Sequence, residues 1–144
     1  MSRASRLATA ANGIEAVVKK LEDIKLLIKV NKSVDEINNL IDDFNNITAE
    51  IDTTDVEDIM EELDNWKSGL EGTNLENTEK YTTLSEAIDT LTNVIDNLSE
   101  SEDINYIEKI NDKKKLIDSI DDKIGKINET IGEIENVECP GAFR

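Results

Sequence analysis

Apolar side chains recur at steps of three and four residues from one end of this chain to the other. Leu7, Ala10, Ile14, Val17, Leu21, Ile24 and Ile28 form an unbroken heptad series, the spacing that keeps one stripe of a helix facing a neighbour. Ala11, Val18, Leu27 and Val30 widen that stripe, which predicts a broad-faced amphipathic helix over 1–32 that packs in a bundle. Ser33 then opens a second series, Val34, Ile37, Leu40, Ile41, Phe44, Ile47 and Ile51. A third carries Val56, Ile59, Leu63, Trp66 and Leu70, with Trp66 as an anchor on the apolar stripe. Thr53-Thr54, between these two, reads either as a break or as a restart within one bent helix. Two glycines, Gly69 and Gly72, with Ser68 and Asn74 beside them, mark the clearest interruption. A fourth helix follows with Leu84, Ile88, Leu91, Ile95 and Leu98.

The last segment, read as one helix over roughly 102–138, has the narrowest stripe. Ile117, Ile120, Ile124, Ile127, Ile131 and Ile134 occupy successive a and d positions, and Ile110 extends the series with Lys113 at the intervening d. Isoleucine at both positions favours trimers or tetramers over dimers. These seven isoleucines therefore form a candidate self-association seam, with a homotrimer as the favoured state. Pro140-Gly141 closes the helix before a tail at 140–144.

Five Ser/Thr-x-x-Glu pairs, Ser33–Glu36, Thr54–Glu57, Thr73–Glu76, Thr83–Glu86 and Ser99–Glu102, have the form of capping boxes at helix starts. Together with the spacing they predict an all-α chain, a segmented coiled coil or elongated bundle of four to five helices. Its parts are a basic head over 1–32, an acidic helical segment over 33–72, a linker and helix over 73–100, and the isoleucine-rich helix over 101–139.

Charge divides the chain in the same places. The net charge is −17 over 144 residues. Residues 1–33 hold seven Lys/Arg against three acids, whereas 34–108 hold Lys67 and Lys80 against 22 acids. Such a middle repels nucleic acid, and nothing in the sequence is apolar for long enough to span a membrane. The head, through Arg3, Arg6, Leu7, Ile14, Val17 and Leu21, is a candidate docking element for a partner subunit with an acidic groove. The competing reading lays it on the chain's own acidic helices.

Candidate chemistry is sparse. There is no His and one Cys, Cys139, so the common general base and the common metal clusters are missing. Asp42-Asp43, Glu61-Glu62 and Asp121-Asp122 read as solvated helix faces, and no Gly-rich phosphate loop occurs. The sequence predicts a non-enzymatic protein without cofactor or metal. Segmented helices broken by short Gly/Asn loops resemble, in architecture and without a shared motif, the neck and tail accessories of tailed phages. That resemblance implies a structural subunit of a large assembly, cytoplasmic or virion-associated. The alternative is a monomeric acidic bundle acting as adaptor or chaperone for a basic protein partner.

Overall fold

The computed structural model describes residues 2–75, 78–99 and 102–139, which form five α-helices and no strand. Helix α1 (Arg3–Val30) starts where the Ser2 hydroxyl accepts a hydrogen bond from the Ser5 amide. All seven residues of its heptad series are buried, and so are Ala11 and Val18. Leu27 and Val30 depart from expectation: they are 52% and 76% exposed. They lie off the face that buries Ile28, and the chain then turns at Asn31–Ser33 into α2 (Val34–Thr48).

Helix α2 runs back along α1 and α3 (Thr54–Leu70) continues in the same direction. The pairings fix this: Lys20 reaches Glu50 at 3.9 Å, while Arg3 and Arg6, further toward the start of α1, meet Glu62. Thr53-Thr54 is thus a break between two helices, with the Asp52 carboxylate accepting from the Thr54 amide at 2.9 Å where α3 begins. After a turn in which Gly72 takes a positive φ of 76°, the conformation glycine adopts most readily, α4 (Glu79–Ser99) packs back on α3. Met60 meets Thr92 and Lys67 lies over the Tyr81 ring, which sets this pair antiparallel.

The last helix, α5 (Lys113–Asn136), is shorter than the isoleucine spacing suggests. Residues 102–107 are not helical, and a single 3-10 turn at Ile110–Asp112 leads into α5. The cause lies in α2, whose side chains take the hydrogen bonds that a helix would have made internally. Helix α5 runs antiparallel to α1 over its length: Lys113 donates to the Asn31 carbonyl at 2.7 Å and Lys25 pairs with Asp121. One half of the molecule is thus four helices, α1, α3, α4 and the end of α5. In the other half the strip 102–107 stands where a fourth helix would be. One hydrophobic cluster runs through both halves.

Of the five capping boxes, Ser33 caps as expected, its hydroxyl accepting from the Glu36 amide. Thr54 is one residue inside α3 and Thr83 lies within α4, donating back to the Glu79 carbonyl. Thr78 caps α4 instead, accepting from the Tyr81 amide. Thr73 sits in the turn, Ser99 ends α4, and Glu76 falls outside the described residues.

Candidate protein-interaction surfaces

The basic head spends its charge inside the chain. Arg6 grips Glu62 through both terminal nitrogens, at 2.8 and 2.6 Å, and Arg3 adds its Nε at 3.2 Å. This planar two-point contact holds the Glu62 carboxyl below the usual carboxylate range and pushes the Arg6 guanidinium up. Arg3 and Lys80 both lie over the Trp66 ring, at 5.4 and 5.2 Å. Trp66 is half-buried at the edge of the core, and Leu7, Ile14, Val17 and Leu21 are buried within it. The start of the head thus lies on the acidic helix α3, and the rest of α1 packs on α5 and α2.

The isoleucine seam is likewise turned inward. Ile120, Ile124, Ile127, Ile131 and Ile134 are at most 5% exposed, and Ile117 is half-buried. Only Ile110, outside α5, is open, at 40%. The stripe packs on α1 and α4 of the same chain.

Two residues that the sequence reading passed over organise the strip at 102–107. Asn45 donates to the Ile104 carbonyl at 3.0 Å and accepts from the Ile104 amide at 2.9 Å. Asn38 does the same for Ile107, at 3.0 and 2.9 Å. The two asparagines are seven residues apart, hence on one face of α2, and each holds both the amide and the carbonyl of one residue, as a neighbouring strand would. Tyr106 donates to Asp42 alongside them. Behind the strip, Lys123 is 7% exposed and donates to the Glu102 carbonyl at 2.5 Å. Burial pushes its ammonium pKa down, and Asp103 partly opposes this.

Two hollows lie along α5. The first, of about 730 Å³ between α4 and α5, is edged by Glu86, Glu129, Glu133 and Glu138, and no Lys or Arg among the described residues lines it. Ala87 and Gly132 keep it open, and a Cβ added at Gly132 would meet nothing within 4 Å. Glu129 and Glu133 also edge the second hollow, of about 860 Å³, between α5 and the strip. The two make one trough, acidic at the α4 end and mixed in charge where Lys115, Lys123 and Lys126 enter it. Cys139 lies half-buried against the core, and burial raises its thiol pKa.

Among the described residues, no three His, Cys, Asp or Glu side chains converge as a metal site, and no helix is long and apolar enough to cross a membrane. Comparison with protein-family models, curated proteins and solved structures returns no match.

Proposed function

We propose that the chain is a non-enzymatic protein-binding bundle whose α4–α5 trough takes a basic segment of a protein partner. One observation carries this reading: the trough is edged by four glutamates, with no Lys or Arg among the described residues of the α4 half. The wider surface supports it. Every described acid between 34 and 108 except Glu62 is exposed, so a cationic partner is drawn to this side from a distance and seated by the trough. A core already closed within one chain favours this adaptor or chaperone role over a trimer built on the isoleucine seam. A structural subunit of a virion-like assembly remains the second reading, and it would use the outer surface of the folded bundle.

Titration with a Lys/Arg-rich helical peptide, followed by amide shifts, tests the proposal. Shifts are expected at Thr83, Ala87, Gly132 and Val137, weakening steeply as salt rises. Gly132→Arg would place a cation in the trough and abolish them. Shifts spread evenly over all acidic faces, unaffected by Gly132→Arg, would refute the site.

A further inference from the structure

At the end opposite the glutamate-edged α4 half of the trough, the surface changes character. The last two turns of α1 expose Leu26 at 58%, Leu27 at 52% and Val30 at 76%. Leu27 and Val30 border a shallow groove toward Leu40 on α2. Ile110 stands open nearby, because Lys113 ties the start of α5 to the end of α1. Scattered single apolar residues are ordinary on a surface; three within five residues on one exposed helix end form a patch that calls for a cover.

The charges around this patch run against the rest of the chain. Residues 25–36 and 108–115, which meet at this tip, hold seven lysines against four acids. Lys25 is engaged by Asp121, but Lys29, Lys32, Lys109, Lys114 and Lys115 are exposed. An apolar tip ringed by lysines is complementary in charge to a trough edged by Glu86, Glu129, Glu133 and Glu138. The tip and the glutamate-edged half of the trough lie on this chain, at opposite ends of its long axis.

We infer that the tip of one copy seats in the α4–α5 trough of a second copy, head to tail, an inference that rests on the trough reading above. Charge dictates the polarity. Tip against tip would bring lysine onto lysine, and trough against trough glutamate onto glutamate, so a two-fold contact through either patch is disfavoured. A contact between two different patches does not close on itself and propagates. Each added copy would advance the chain by about the 42 Å length of α1, at ~1.5 Å per residue. The net charge of −17 opposes association at long range, but at 0.15 M salt repulsion is largely screened beyond about 8 Å. The contact is therefore short-ranged and needs high protein concentration.

Two variants and their mixture test this by sedimentation equilibrium at several hundred micromolar. Leu27→Glu with Val30→Glu disables the tip and leaves the trough; Gly132→Arg disables the trough and leaves the tip. All three positions have room, so circular dichroism should match wild type. The wild type is expected to grow past two chains with concentration, while each variant alone stays at 16.1 kDa. Mixed, the variants should form a 1:1 pair and stop, since one good tip meets one good trough. A wild type that stays monomeric yet binds the basic peptide through Gly132 overturns the inference and leaves the trough reading standing. Failure to bind that peptide as well removes both. Self-association that survives in each variant alone overturns it in favour of another seam. Flotation of the monomeric wild type with phosphatidylserine vesicles, lost in the Leu27/Val30 variant, overturns it in favour of a membrane surface as the tip's cover.

Discussion

Replacing Asn38 or Asn45 by alanine deprives the strip at 102–107 of one of its two side-chain clamps. Each clamp consists of two hydrogen bonds at 2.9–3.0 Å to the amide and carbonyl of one residue. A neutral hydrogen bond contributes about 0.5–1.5 kcal/mol net, so a clamp is worth at most about 3 kcal/mol. Ile104 and both asparagines are half-buried, and water can replace part of what is lost. The expected cost is about 1–2 kcal/mol for each variant, a large share of the stability of a small domain. The two clamps hold the same strip, so the double variant should cost less than the sum of the singles. Asn38→Asp sharpens the test. The carboxylate still accepts from the Ile107 amide but presents a second acceptor to the Ile107 carbonyl, where the amide nitrogen had donated. At pH 7 it should destabilise at least as much as alanine. Protonation restores a donor, so the deficit relative to wild type should shrink as pH falls through the aspartate's raised pKa. Urea unfolding gives the free energies, and hydrogen exchange at the Ile104 and Ile107 amides locates the effect. If both amides keep their protection in the double variant and stability moves by less than about 0.5 kcal/mol, the strip is held by its side chains alone and the reasoning fails.

Lys123→Met keeps the aliphatic stem and removes a buried charge, so it should leave stability unchanged or raised at pH 7. Because burial lowers the folded pKa of Lys123 below its unfolded value, the wild type should gain stability as pH rises through that folded pKa, and the variant should lack this gain; a large loss of urea resistance in Lys123→Met would contradict it. Glu62 has a depressed folded pKa, so its contribution is present above its unfolded pKa and lost as pH falls through the folded one. Glu62→Gln should flatten that acid limb and loosen α1 near Arg3 and Arg6, visible as faster exchange of the amides there, and an unchanged limb would show the fork to be idle. Gly125→Ala and Gly132→Ala meet open space on α5, and each should raise the midpoint of thermal unfolding by stabilising the helix by about 1 kcal/mol; a fall would mean that close packing occurs at those positions.

The regular spacing made most of the helical framework legible. The α1 series is buried residue for residue, because a helix that packs along its length on α5 obeys a single period. The capping motif misled because Ser, Thr and Glu are common here. A mid-helix Thr such as Thr83 satisfies its hydroxyl on the carbonyl four residues back without starting anything. Residues 102–107 misled for another reason: Ile104, Ile107 and Ile110 keep a helical step, yet α2 offers their backbone a better partner than their own helix would. Two signals were present. Lys113 interrupts the isoleucine series where α5 begins, and Asn38 and Asn45 stand one heptad apart on α2. The trough and the tip were not legible, since both depend on which faces α4, α2 and the end of α1 leave uncovered. Leu27 and Val30, which widen the apolar stripe in the sequence, lie off the face that buries Ile28.

The pairing of the first helix with the last constrains the order in which this molecule can assemble. Asn31 is held by Lys113 and Lys25 by Asp121, so α1 waits for nearly the whole chain before its long partner exists. The α3–α4 hairpin, joined by a short turn, needs no such wait, and loop-closure entropy favours it as the earlier structure. Until α5 arrives, nine side chains of α1 that end in the core have only α2 and α3 to shelter them. During synthesis this is the interval in which the chain is most exposed to unwanted contacts. Arg3 and Arg6, paired with Glu62, and Lys20, reaching Glu50, are placed to keep α1 close to the acidic segments made just after it during that interval.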